Sequence, residues 1–177
     1  MKIKAPRGAF CFMKKIGLLS DTHSFLDPKV FQYFAGVDEI WHAGDIGDVA
    51  LAERLLAFKP LRAVFGNIDG KELRQLFPED LHFEIEGKKV FMTHIGGYPG
   101  KYQPRVKKII EETHPDLFIC GHSHILKIIP DKIHHLLHIN PGACGNYGWH
   151  KVKTLVRFEL EAAKIQNLEV IEIGTRG

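Results

Sequence analysis

Short apolar runs rich in β-branched residues alternate with segments of helical spacing through the first two-thirds of the chain, and this alternation restricts the fold more than any other feature. "KKIGLLS" (14–20), "EIWHA" (39–43) and "LRAVF" (61–65) read as strands. A short helix near 28–35 and an amphipathic helix near 48–58, with Leu51, Leu55 and Leu56 on one face, fall between them. After Gly70 a short helix ends at Pro78, and "LHFEIEGKKVFMTHI" (81–95) alternates on both sides of Glu86-Gly87 as a hairpin would. "QPRVKKIIEETH" (103–114) is a further amphipathic helix. "DLFIC" (116–120), "ILKIIP" (125–130), "HHLLHI" (134–139), "KTLVRFEL" (153–160) and "IQNLEVIEI" (165–173) are then closely spaced strands, with the final "GTRG" expected to fray. The pattern is α/β early and β-rich late, which suits two packed sheets with helices outside.

At 177 residues, 45% of them hydrophobic, the chain is long enough for one full core and too short to favour two. Residues 13–177 are therefore expected to form one domain. Since "MKKIGLLSD" from Met13 is itself a plausible beginning, residues 1–12 are expected to be a poorly ordered upstream extension. Lys14 and Lys15 interrupt the opening apolar run and no small-residue cleavage site comes after it, so no signal peptide is expected. No apolar run approaches a membrane span. The 24 basic and 21 acidic residues are mixed along the chain, a solvated surface rather than a nucleic-acid footprint. Cys11, Cys120 and Cys144 are odd in number, far apart and without C-x-x-C spacing, so neither a disulfide framework nor a zinc knuckle is expected, and a reducing cytoplasm fits.

The residues just past the apolar runs form an ordered series. Asp21-Thr22-His23 comes after "IGLLS", Asp45 after "IWHAG", Asn67 after "RAVFG", His94 after "KVFMT", and His122-Ser123-His124 after "LFICG". The carboxyl ends of strands in open α/β sheets form the crevice where ligands bind, so these segments are expected to converge there. Asp21 and His23, like His122 and His124, are i, i+2 pairs that extended backbone would point the same way. Gly44, Gly66 and Gly121 precede ligand candidates and offer freedom for a sharp turn. Seven N and O donors exceed what one ion uses when water and substrate need room, so two ions sharing a ligand fit better. A carboxylate can bridge and a neutral imidazole or amide ordinarily does not, which makes Asp45, in the middle of the set, the expected bridge.

As an ordered set, "SDTH" (20–23), "GDIG" (44–47), "GNID" (66–69), "MTH" (92–94) and "GHSH" (121–124) resemble the five motifs of the calcineurin-like metallophosphoesterases, and most closely their small phosphodiesterase branch. "INPGACG" (139–145) resembles the next loop of that branch. The resemblance implies an α/β fold, a four-layer αββα sandwich of two mixed sheets flanked by helices. It also implies that Asp21, His23 and His124 hold one metal, that Asn67, His94 and His122 hold the other, and that Asp45 bridges. Catalytic roles then fall to Asp45, His94 and His122.

The implied activity is metal-dependent hydrolysis of a phosphate ester, foremost a diester, by a hydroxide held between two divalent ions. Manganese is the first expectation for the metal, with iron, zinc, nickel or cobalt compatible with the same donors. The expected partner is a small phosphate ester or nucleotide, with no membrane and no specific nucleic acid. Many phosphatases of the superfamily carry histidine after the G-N pair where this chain has Ile68, which leaves the general acid unassigned; Asp69 is expected to support a neighbour. The rival reading is a non-catalytic scaffold of the same fold, which some superfamily members are, with altered ligand positions.

Other features have simpler readings. The second aspartate of a D-x-D phosphatase motif is missing, because position 23 is histidine, and neither Ser20 nor Ser123 lies in a G-x-S-x-G elbow. His42 is either a support for Asp45 or an ordinary buried histidine, and His134, His135 and His138 are structural or exposed. "GGYPG" (96–100) could form a backbone nest for phosphate but reads first as a turn, and Lys101 and Arg105, which could grip a substrate's phosphate, read first as the start of a solvated helix.

Overall fold

The computed structural model describes residues 13–176. The expectation for residues 1–12 lies outside the described residues.

The elements run β1 (Lys14–Leu19), α1 (Lys29–Tyr33), β2 (Glu39–His42), α2 (Val49–Phe58), β3 (Leu61–Ala63), α3 (Lys71–Leu76), β4 (Asp80–Ile85), β5 (Lys88–Thr93), β6 (Gly97–Tyr98), β7 (Lys101–Tyr102), α4 (Pro104–Thr113), β8 (Leu117–Ile119), β9 (Lys127–Asp131), β10 (Leu136–Asn140), β11 (Val152–Glu161) and β12 (Lys164–Thr175). One five-stranded sheet has the order β12-β11-β1-β2-β3 and a second β4-β5-β8-β10-β9. Both are mixed: β1, β2 and β3 are parallel with β11 and β12 antiparallel to their neighbours, and β5, β8 and β10 are parallel with β4 and β9 antiparallel at the edges.

Period-two alternation sorts the strand residues onto two buried faces. Ile16 and Leu18 of β1, Val90 and Met92 of β5, and Leu117 and Ile119 of β8 pack with Trp41 and Phe158 between the sheets. The alternate residues Phe91 and Phe118 face outward onto Val106 and Ile110 of α4. Leu19, Ile40 and Ala63 face the other way, onto Val30 and Phe34 near α1 and Leu51 and Leu55 of α2. Three separate cores therefore divide four layers, αββα, as expected. Gly17 leaves the hole that Phe34 fills, since a Cβ there would lie 2.8 Å from the ring. Phe34 is fully buried, and its replacement by alanine would cost about 3–5 kcal/mol.

Two sequence expectations need correction. Leu56 is half exposed while Leu51 and Leu55 are buried: one residue beyond Leu55 turns about 100° around the helix and off the apolar face. The chain end is not frayed up to Arg176, because Thr175 pairs with Val152, Gly174 with Lys153, and the Arg176 N–H donates to the Lys151 carbonyl at 3.0 Å. The turn read at "GGYPG" closes a small β6–β7 hairpin, with Gly97 at φ +77° where a Cβ would meet the Lys101 carbonyl oxygen at 2.3 Å. No helix among the described residues is long and apolar enough to cross a membrane.

Candidate metal centre

The loops after β1, β2, β3, β5 and β8 meet at one end of the sandwich. The post-β1 segment runs beside the post-β2 segment, with Asp21 N–H donating to the Gly44 carbonyl at 3.0 Å and His23 N–H to the Asp45 carbonyl at 3.0 Å. Asp21 reaches the second sheet, accepting from the His122 N–H at 3.2 Å with both carboxylate oxygens. His94, after β5, returns to the first sheet and its Nδ1 lies 2.8 Å from the Ala43 carbonyl oxygen.

All seven sequence candidates lie in this cluster. His124 Nε2 stands 3.3 Å from Asp21 Oδ1 and 3.3 Å from His23 Nε2, and His23 Nε2 stands 3.6 Å from Asp45 Oδ2. The other carboxylate oxygen, Asp45 Oδ1, is 3.2 Å from His94 Nε2, which is also 3.1 Å from Asn67 Oδ1 and 4.0 Å from Asp21 Oδ1. His122 sits edge-on to His94 with ring centroids 5.3 Å apart. Asp45 thus directs one oxygen toward the His23 side and the other toward the His94 side.

The route to this convergence differs from the extended i, i+2 pairs expected from sequence. Asp21, His23, Asp45, His122 and His124 all have φ between 47° and 67°, in the left-handed region. Each such residue costs about 1 kcal/mol or more relative to ordinary backbone, and aspartate and histidine tolerate it better than branched residues. The glycines also work differently at two of three positions. Gly44 does have φ +94°, but Gly66 and Gly121 are required by close approach: a Cβ would lie 2.0 Å from Asp45 Oδ1 in the first case and 2.1 Å from Ser20 Oγ in the second.

Supporting residues hold the loops. Asp69 is buried and accepts from the N–H groups of Gly66 at 2.7 Å, Gly47 at 2.8 Å and Ile46 at 3.2 Å, pinning the Asp45 loop to the Asn67 loop. His42 is fully buried; its Nδ1 accepts from the Gly44 N–H at 3.2 Å, so Nε2 carries the hydrogen toward Thr22 Oγ1 at 2.9 Å, and that hydroxyl donates to the Ile46 carbonyl. Burial pushes the His42 imidazole down to about 4, with Asp69 and Asp21 opposing, which keeps it neutral. His42 is thereby a support of the Asp45 loop. His134 pairs with Asp131, and His138 is wholly buried. Cys120 and Cys144 are buried free thiols.

Sequence reading missed several contributors. Arg74, on α3, donates from Nε to the Asp69 carbonyl and from one terminal nitrogen to the carbonyls of Gly66 and Asn67. Asn140, in the "INPGACG" segment, donates to the Gly121 carbonyl at 2.7 Å and so steadies the His122-Ser123-His124 loop. Beyond it, Tyr147 lies against His23 with centroids 5.0 Å apart, and Gly148 packs so tightly on His124 that a Cβ would be 1.9 Å from Nδ1. The glycine between two aromatics in "YGW" was the only trace of this in the sequence.

The donor chemistry fits metal. With Nδ1 of His94 donating to a carbonyl, Nε2 presents a lone pair to the oxygens of Asn67, Asp45 and Asp21, so acceptors face acceptors. A cation resolves that arrangement. Metal–N and metal–O bonds of about 2.0–2.2 Å place ligand atoms on a common ion about 3.0–3.5 Å apart, and the separations of Asn67, His94 and Asp45 on one side (3.1 and 3.2 Å) and of Asp21, His124, His23 and Asp45 on the other (3.3, 3.3 and 3.6 Å) are close to that. Asp21 with His23 and His124, and Asp21 with Asp45 and His94, each form a compact group able to hold an ion. Burial disfavours charge on His94, but Asp45 and Asp21 beside it outweigh burial and raise its pKa. Burial lowers the pKa of His23 and of His122, keeping both free to ligate.

Residues 13–163 match the calcineurin-like phosphoesterase superfamily domain. A probable metallophosphoesterase of Methanothermobacter thermautotrophicus is 31% identical over 133 residues, covering 72% of this chain and 76% of that protein. Among solved structures, an archaeal phosphodiesterase superposes with a TM-score of 0.69 at 24% identity, covering 90% of this chain and 99% of the other. Vps29 from Chaetomium thermophilum superposes with a TM-score of 0.68 at 15% identity, covering 93% and 98%. The chain belongs to the calcineurin-like phosphoesterase superfamily.

Proposed function

We propose that the protein is a metal-dependent phosphodiesterase whose seven-residue cluster holds two divalent cations. In this reading Asp21, His23 and His124 hold one ion, Asn67, His94 and His122 the other, and Asp45 serves both. The observation that carries it is the convergence of buried acceptors, with the two oxygens of Asp45 directed to opposite halves of the cluster. Buried carboxylates persist where they are paired or coordinate a metal, and Asp21 and Asp45 are both buried.

Bound there, a pair of divalent cations supplies Lewis acidity to phosphate oxygens and acidifies water at neutral pH. The chain's own residues set the stage for that chemistry. The Ala43 carbonyl holds the His94 tautomer with its lone pair on Nε2, and the Ile68 N–H steadies Asp45 Oδ1 at 3.1 Å. Tyr147 and Gly148 cover the outer side of His23 and His124. A diester is the reading that the likeness to an archaeal phosphodiesterase supports, and manganese is the first metal to test, with iron, zinc, nickel and cobalt suited to the same N and O donors. The substrate class is a small phosphate ester or nucleotide.

The non-catalytic scaffold reading draws on the likeness to Vps29, which extends to fold alone. Every ligand position here carries a metal-capable side chain, which supports catalysis. The test is to strip the metal, restore manganese or zinc separately, and measure hydrolysis of bis(4-nitrophenyl) phosphate and 4-nitrophenyl phosphate. Metal-restored turnover favouring the diester, lost in Asp45→Asn and His124→Ala, is expected; equal turnover in parent and variants would refute the assignment.

A further inference from the structure

We infer that the cavity beside Asn67 and His94 is a subsite for a second phosphate group, so that the substrate is a phosphate ester carrying another phosphate close to the one hydrolysed. This rests on the phosphoesterase reading and narrows it.

The cavity has a volume of about 190 Å³ and is lined by Asn67, His94, Arg74, Arg105, Glu79 and Ile95 among others. It is smaller than the roughly 300–1,000 Å³ of a pocket that takes a whole ligand, and two of its walls are candidate metal ligands. It therefore suits one group of a larger substrate whose reacting phosphate sits at the metal centre.

Two guanidiniums face this space from different elements. Arg74 lies over the Phe65 ring at 4.3 Å and donates to three backbone carbonyls, which solvate its charge without cancelling it. Arg105, the second residue of α4, is paired with Asp80 and has a terminal nitrogen 3.3 Å from Glu79 Oε1 and 3.3 Å from Thr93 Oγ1. Guanidinium is the side chain best matched to phosphate, through paired parallel hydrogen bonds. The position of Arg105 also shows that it is more than the start of a solvated helix, the role its sequence context suggested.

The remaining lining sharpens the choice of group. Glu79 is the one carboxylate among the lining residues, and it makes the cavity selective, because an incoming anion competes with it for Arg105. The charged donors the cavity offers are the guanidinium of Arg74, held by backbone carbonyls, and that of Arg105, shared with Asp80 and Glu79. A phosphate, ionised at neutral pH, gains from charge what an alkoxide would need from a proton.

The test is calorimetric binding of inorganic pyrophosphate and of inorganic phosphate to the manganese-loaded protein, in the parent, Arg105→Gln and Glu79→Gln. Pyrophosphate is expected to bind more tightly than phosphate. Arg105→Gln should weaken pyrophosphate roughly tenfold and leave phosphate nearly unchanged, as loss of one charged hydrogen-bonding group implies. Glu79→Gln, which removes a competitor for Arg105, should tighten pyrophosphate several-fold. Identical pyrophosphate affinity across the three proteins, or weaker binding in Glu79→Gln, would overturn the subsite. Since binding is read directly, those results stand apart from any failure to hydrolyse chromogenic esters, which would count against the phosphoesterase reading.

Discussion

His94 Nε2 lies 3.2 Å from Asp45 Oδ1, although a neutral His94 whose Nδ1 hydrogen goes to the Ala43 carbonyl has only a lone pair to offer there. Two acceptors at hydrogen-bond distance require positive charge between them. The raised pKa of His94 expresses the same demand, met by a proton when no metal ion meets it.

Asp69 should be worth more to the fold than its place outside the ligand set suggests. Asp69→Ala leaves the N–H groups of Gly66, Gly47 and Ile46 without their acceptor. A buried donor left unsatisfied costs about 1–3 kcal/mol, so a loss of about 3 kcal/mol or more is expected in urea unfolding. Asp69→Asn keeps one acceptor oxygen and should lose less; a neutral Asp69→Ala would show that the pinning of the two loops is dispensable.

Gly66→Ala should damage the metal site through one atom. The new Cβ would fall 2.0 Å from Asp45 Oδ1 and 2.2 Å from the Asp45 amide nitrogen, and the backbone there cannot yield as a flexible side chain would. Metal affinity is expected to fall about 10–100-fold, the usual penalty for disturbing a ligand's support, as read by equilibrium dialysis. Unchanged affinity would mean that Asp45 does not ligate from its observed position.

Acid should destabilise the fold through His138. The residue is wholly buried with neither ring nitrogen hydrogen-bonded, and burial pushes its pKa from 6.5 to about 4, helped by Lys127 and opposed by Asp131. The folded pKa is the lower one, so between pH 6.5 and about 4 the unfolded chain binds more protons. Stability is therefore full above 6.5 and is lost as pH falls through that window, by about 2 kcal/mol at pH 5. His138→Phe should remove that share of the loss in urea titrations at pH 7.5 and 5; an unchanged pH dependence would assign the effect to other groups, such as His42.

Much of this was legible in the sequence because alternation and strand-end residues obey local rules. β1 was readable from "KKIGLL" because both faces of the strand are buried, and the seven-residue cluster from the order of residues after each run. What was not legible depends on contacts between loops far apart in the chain. The left-handed backbone at Asp21 and His122 is set by the hydrogen bonds each loop makes to its neighbour, so the extended-pair reasoning reached the right cluster by the wrong geometry. Gly66 and Gly121 look like turn glycines until Asp45 and Ser20 are seen against them. Arg74 gave no pattern at all and Tyr147 only the "YGW" triplet, because their roles come from which loop they lie beside.

The central claim is that one cluster holds two ions with Asp45 between them, and it is tested most directly by counting metal. Apo protein loaded with manganese, freed of excess and measured by atomic emission should carry two ions per chain in the parent. His124→Ala should retain the ion on the Asn67 side, and Asp45→Asn should lose affinity for both. A parent chain that holds no more than one ion, or an Asp45→Asn protein that still holds two, would contradict it.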